Sequence, residues 1–313
     1  GYAHHDTIFP LFLFIAGVSF PYSVAKQRAG GMSEGRIYAK IVRRGLTLVV
    51  LGMVYNGLFK LDFENLRIAS VLGRIGLAWS IAAVLYLNFG VKTRAAIAVA
   101  VLAGYGALSA LVAAPDAAGA GPLTFEGNLA GYIDRQFLPG KLIYGSFDPE
   151  GLLSTVPAVV TAMLGMFTGE FVRRSDIRGG RKTLWMAAAA AALLAAGLAF
   201  SGVLPVNKKL WSSTFVCVVG AYSLGMFALF YYLIDVRGWR RWTLFFRVVG
   251  LNSITIYLAQ RIVGFGRISD FFLGGIASKC PEAVAAVISS AGYVAVCWLF
   301  LYFLYRKNVF LKV

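Results

Sequence analysis

Residues 6–25 read DTIFPLFLFIAGVSFPYSVA, and residues 26–44 read KQRAGGMSEGRIYAKIVRR. The first stretch is nearly all apolar and close to the roughly 17–25 residues that a helix needs to cross a bilayer. The second is crowded with Lys and Arg. This alternation recurs along the chain. Nine apolar spans are expected, near residues 6–25, 45–59, 68–89, 93–113, 151–172, 184–204, 210–234, 243–263 and 283–305. The basic residues fall mainly in every second gap, where Lys26 to Arg44, Lys92 and Arg94, Arg173 to Lys182, Arg237 to Arg241, and Arg306 to Lys312 account for 19 of the 30 Lys+Arg. Only eight fall in the other gaps: Lys60, Arg67, Arg135, Lys141, Lys208, Lys209, Arg267 and Lys279. Basic loops stay cytoplasmic, so the C-terminus is expected inside and Gly1 outside, in the periplasm.

Composition agrees with this reading. Of 313 residues, 59% are hydrophobic and 14% charged, whereas a soluble domain carries nearer a quarter charged. The net charge of +16 is spread over the cytoplasmic gaps, and the bilayer explains it without a nucleic-acid surface. Long unbroken apolar runs argue against a membrane β-barrel, whose strands alternate. The expected fold is therefore all-α, a polytopic helical membrane bundle forming one domain over residues 1–313. Cys217, Cys280 and Cys297 show no metal-ligand spacing, so neither a disulfide framework nor a metal is expected. A chain that begins outside needs an upstream helix or leader to bring it there, and a missing first helix would raise the count to about ten.

The longest gap, 114–150, is read as an outer loop, and 264–282 as a second one. Ten of the 14 Asp+Glu fall at the outer face on this topology. The alanine run 187–192 is read as a seam of close helix packing.

Five groups of residues carry potential chemistry. His5 and Asp6, beside His4, open the first span; a carboxylate can orient a histidine as a base, or Asp6 can simply cap a helix. Arg67 and Arg74 are seven apart, one face of a helix, and suit a phosphate or carboxylate clamp. The alternative for Arg74 is a structural ion pair, with Glu170 for example. Asp148 and Glu150 flank Pro149 before the fifth span and could bind an amine or hydroxyls, or serve the helix dipole. Asn207 and Lys208 sit in an outer turn where lysines break the charge sorting, with Trp211 read as an interfacial anchor. Asn252 and Ser253 interrupt the apolar eighth span and could line a polar path or bond a neighbouring helix.

The stretches at Asp6–Gly17, Leu66–Gly76, Asp148–Leu153, Pro205–Trp211 and Gly250–Ile254, taken in order, resemble the transmembrane acetyltransferase family of heparan-alpha-glucosaminide N-acetyltransferase and its bacterial relatives. The resemblance implies a multi-pass bacterial inner-membrane enzyme. It implies transfer of acetyl from cytosolic acetyl-CoA to an amino sugar or glycan at the periplasmic face. It also implies that the family's catalytic histidine lies upstream of Gly1, so His5 is a stand-in candidate beside Asp6. Asp148, Glu150, Asn207 and Lys208 would then bind the acceptor, and Arg67, Arg74, Asn252 and Ser253 the donor. The bilayer is the expected partner, with a homodimer as a further one. Two other readings stay open: an O-acyltransferase of envelope polysaccharide, and a small-molecule transporter, which would favour inverted repeats that the sequence does not display.

Overall fold

The computed structural model describes residues 4–311. Gly1, expected in the periplasm, and Lys312, counted in the basic tail, lie outside them. Among the described residues every regular element is helical, and other backbone pairing is confined to the isolated bridges Arg67–Gly140 and Ala113–Asn128. Lipid offers no partners to peptide groups, so a helix, which satisfies its own, is the form such apolar segments take. The protein is a polytopic helical membrane bundle. Contacts divide it into two compact units, Gly1–Arg237 and Gly238–Val313.

The first unit holds α1 (Ile8–Ala29), α2 (Glu34–Tyr55), α3 (Val71–Asn88), α4 (Val91–Leu111), α5 (Leu129–Phe137), α6 (Leu152–Arg173), α7 (Gly179–Ala199) and α8 (Ser213–Tyr231). The second holds α9 (Leu244–Leu251), α10 (Ser253–Ile262), α11 (Phe265–Ala277) and α12 (Glu282–Arg306). Seven helices are long and apolar enough to cross a membrane, and α9 with α10 makes an eighth span bent by 60°. The second expected span, 45–59, falls largely in α2, which does not meet that test. It begins at Glu34 and carries Arg36, Lys40, Arg43 and Arg44 along its first half. The gap 264–282 is not a loop but mostly α11, and the 114–150 loop contains α5.

In the first unit α1 packs on α6, α2 on α3, and α7 on α8, with α3 also against α6. The tightest seam is α1 on α6. A Cβ on Gly165 would strike the Phe14 carbonyl, one on Gly169 the Val18 carbonyl, and one on Gly17 the Ala162 carbonyl. Small residues let backbones approach where packing, not water, drives association. The alanine run on α7 is not such a seam: within 187–192 only Ala190 is buried. Short turns (30–33, 89–90, 174–178) gather at one end of this unit and long connections (56–70, 112–151, 200–212) at the other. The candidate site is at the long-loop end.

In the second unit α12 packs against α9 and α11. Trp298 stacks on Phe245 with ring centroids 5.7 Å apart.

Candidate functional site

The site is built from the start of α1, the segment before α3, the segment before α6 and the turn before α8. Arg67 is not on a helix with Arg74, since α3 begins only at Val71; the expected shared face does not form. Arg67 lies in extended backbone that bridges to Gly140, and its own carbonyl accepts from Asn56 Nδ2 at 2.8 Å. Its guanidinium is bidentate on Asp148, at 2.7 Å from Nε to Oδ2 and 2.7 Å from Nη2 to Oδ1, and also bonds Glu150. Burial disfavours its charge, but the bonds and charges of Asp148 and Glu150 outweigh that and raise its pKa.

Asp148 is fully buried. Besides Arg67, its oxygens accept from Ile143 N at 3.3 Å and Glu150 N at 3.0 Å. Its acceptor capacity is committed within the protein, so it positions Arg67 and the turn. Glu150, with 11% of its side chain exposed, and Arg67, with 19%, are the members that reach outward. Residues read as donor-binding and acceptor-binding thus form one ion cluster.

Arg74 is one turn into α3 and only 2% exposed. Its Nη2 bonds Ser154 Oγ and reaches Gly151 O at 3.4 Å, while its guanidinium lies 4.9 Å from the centre of the Trp211 ring. Its Nε and Nη1 have no acceptor among the described residues. Glu150, Asp148 and Asp134 supply the negative field around it. Glu170 is not its partner: that residue pairs with Arg94 at 2.7 Å, at the short-turn end. Nor is Trp211 an interfacial anchor. It is 1% exposed, adopts a left-handed φ of 51°, and packs edge-on to Phe9 and Phe215 as the floor beneath Arg74.

The turn before α8 explains the lysines that broke the charge sorting. Lys208 Nζ lies 3.2 Å from Asp6 Oδ1, and Lys209 sits 4.3 Å over the Tyr144 ring. Asn207 Oδ1 accepts from Lys209 N at 2.8 Å, so this side chain shapes the turn. Asp6 also meets His5 Nε2 at 3.3 Å; His5 is 75% exposed and Asp6 12%. His4's side chain lies outside the description. Asp6, His5 and Lys208 join the Arg74 cluster through the Trp211 turn.

Two contributors, Asp134 and Ser154, escaped the sequence reading, and Trp211 has a role other than the expected one. Asp134, on α5, is fully buried; its carboxylate accepts from Leu152 N at 2.8 Å and Asp148 N at 3.4 Å, capping α6. Burial pushes its pKa up to about 6, against the pull of those two amides. Ser154 and Trp211 hold Arg74. The i, i+4 spacing of the buried pair Ala130 and Asp134 on a nine-residue amphipathic segment was the available signal for Asp134.

Asn252 and Ser253 lie in the second unit, at the break between α9 and α10. Asn252 is buried; its Nδ2 donates to Val309 O at 3.3 Å, and its Oδ1 accepts from Thr255 Oγ1 at 3.1 Å. Ser253 begins α10. Among the described residues, no three His, Cys, Asp or Glu side chains converge on a metal site.

No protein-family model matches the chain. Heparan-alpha-glucosaminide N-acetyltransferase of Homo sapiens is 27% identical to it over 365 aligned residues, covering 98% of this chain and 54% of that protein. The Mus musculus protein of the same name is 26% identical over 362, with the same coverage. The expected likeness to the heparan-alpha-glucosaminide N-acetyltransferase family is borne out. The chain spans about half the length of the curated relatives it matches. The likeness to heparan-alpha-glucosaminide N-acetyltransferase runs through both units, since it leaves almost no part of this chain unaligned.

Proposed function

We propose that the chain is the membrane core of an N-acetyltransferase. It takes acetyl from acetyl-CoA on the cytoplasmic side, where the short basic turns lie, and delivers it to a glucosamine-type amino sugar at the periplasmic, long-loop end. The observation that carries this reading is the coincidence of two things. The chain resembles an N-acetyltransferase along 98% of its length, and the buried Asp6, Arg74, Asp134, Asp148 and Ser154 gather at one end of the first unit. In the reaction the acceptor amine attacks the thioester carbon. The carbon–sulfur bond breaks, a carbon–nitrogen bond forms, the amine proton passes to a base, and coenzyme A leaves as its thiol. Asp6 with His5 is the base pair this chain offers. Arg74, whose Nε and Nη1 have no acceptor among the described residues, is suited to stabilise the oxyanion that develops on the thioester oxygen. Glu150 and Arg67 are the ion-cluster members that reach outward to meet the sugar.

The test is acetyl transfer by the full-length protein in proteoliposomes, with labelled acetyl-CoA on one side and glucosamine on the other. N-acetylglucosamine is expected only on the far side. Arg74→Lys should cut turnover at least about 100-fold, the scale of losing one oxyanion donor. Unchanged transfer in Arg74→Lys and Asp6→Asn would remove both roles. Ester product would select the O-acyltransferase alternative. One observation favours a transporter as second reading: a span bent by 60° at buried Asn252, the kind of broken helix that transporters use. Solute uptake with neither transfer nor acetyl-CoA binding would establish that instead.

A further inference from the structure

Consecutive helices α6 and α7 scarcely meet, because α7 packs chiefly on α8. Between them runs an apolar cleft. Leu164, Phe167 and Phe171 form one wall, and Met186, Ala189 and Leu193 the other. Lys182, Met186, Ala189 and Leu193 share one face of α7, at i, i+4, i+7 and i+11. A lysine therefore ends the same stripe that lines the cleft. Lys182 is 7% exposed, and its Nζ donates to Val172 O at 2.7 Å. An ammonium has three donors. Among the described residues no carboxylate forms an ion pair with it. The nearby acid, Asp176, forms its ion pair with Arg174 and feels the Lys182 charge only at longer range. Arg178 and Arg181 flank Lys182, are exposed, and have no ion pair among the described residues.

An apolar cleft within the spans, ending near three cations that form no ion pair among the described residues, matches the two parts of one kind of molecule. We propose that the α6–α7 cleft binds a single anionic phospholipid, with an acyl chain in the cleft and the phosphate at Lys182, Arg178 and Arg181. The cleft selects a chain over a free anion, and the cations select an anionic headgroup over a zwitterionic one. This reading is independent of the acetyl-transfer site, which lies at the other end of the same helices.

Native mass spectrometry of the delipidated full-length protein tests it, with phosphatidylglycerol and phosphatidylcholine of matched chains as probes. The wild type should retain one phosphatidylglycerol at least fivefold more tightly than phosphatidylcholine. Lys182→Gln should cut that preference about fivefold, and Lys182→Arg should keep it. The double variant Arg178→Gln with Arg181→Gln, both exposed, should weaken phosphatidylglycerol about 25-fold with the fold intact, at about fivefold per basic residue. Ala189→Trp, which fills the cleft, should lose both lipids. Equal retention of the two lipids by the wild type would overturn the proposal. So would an unaltered preference in Lys182→Gln and in the double variant. A cleft occupied by a second copy of the chain would appear as loss of a dimer peak in Ala189→Trp while lipid retention stayed constant, and that too would overturn it.

Discussion

Asp134 shows what a buried carboxyl costs and what it supports. It is sealed from solvent, receives two backbone amides, and holds the segment that presents Asp148 to Arg67. Its folded pKa of about 6 stands above the ordinary value of 3.8. The folded protein therefore keeps the proton between those values while the unfolded chain has released it. Stability from this group is complete below about pH 3.8 and is lost as pH rises through about 6. Asp134→Asn cannot ionise, so its unfolding midpoint relative to wild type should rise between pH 4 and 7. The swing should be on the order of 2–3 kcal/mol, the free-energy equivalent of the shift. Unfolding curves in detergent at stepped pH measure it; a difference that stays constant across that range would refute the assignment. Residue identities at this site were largely legible in the sequence, but their partners were not. Arg67 and Asp148 are 81 positions apart, and no local period encodes such a pairing. Trp211 was misread because its neighbours suggested an interface, whereas a left-handed turn carries it inward beneath Arg74.

The elements follow hydropathy where one term dominates and depart from it where two compete. Most long apolar runs became single helices because lipid leaves peptide groups no other partners, while the run 243–263 breaks at Asn252 into two. By contrast α2 mixes a basic first half with an apolar second half, and α5 and α11 are short amphipathic helices, so a span-length window blurs all three. The closest helix contact was also illegible, since an alanine run draws more notice than isolated glycines. Yet Gly165 and Gly169, four apart on α6, let α1 come to backbone contact. Gly165→Ala should force the two helices apart, because its Cβ would meet the rigid Phe14 carbonyl and not a movable side chain. Overpacking of this kind costs about 1–3 kcal/mol. Gly104→Ala on α4 is the control, since a Cβ there meets nothing within 4 Å. Thermal unfolding in one detergent should show a lowered midpoint for the first variant and an unchanged or slightly raised one for the second. Equal midpoints would mean that α1 and α6 can shift without penalty.

For the molecule as a whole, the sorting of charge makes a claim about direction that geometry alone does not. Within the first unit, the short-turn end carries Lys26, Arg28, Arg36, Arg174, Arg178 and Arg181, while the long-loop end carries most of the acids. Ion pairs form at both ends, Arg28, Arg94 and Arg174 pairing with acids at the basic end and Arg67, Arg135 and Lys208 at the acidic end, so it is the number of basic residues that distinguishes the two. Lys and Arg close to the spans resist translocation, so the end that carries more of them is the one expected to remain in the cytoplasm. Acetyl transfer in the proposed direction requires the same orientation, because the donor proposed for it is cytosolic. The prediction is tested in intact cells with a membrane-impermeant maleimide, on a background in which Cys217, Cys280 and Cys297 are replaced by Ser. Glu126→Cys, exposed in the 112–151 connection, should be labelled without permeabilisation. Asp176→Cys, exposed in the turn between α6 and α7, should be labelled only after it. The reverse pattern would put the ion cluster in the cytoplasm and deny the acceptor its access. Labelling of both before permeabilisation would instead refute the alternation of short turns and long loops on which the orientation rests.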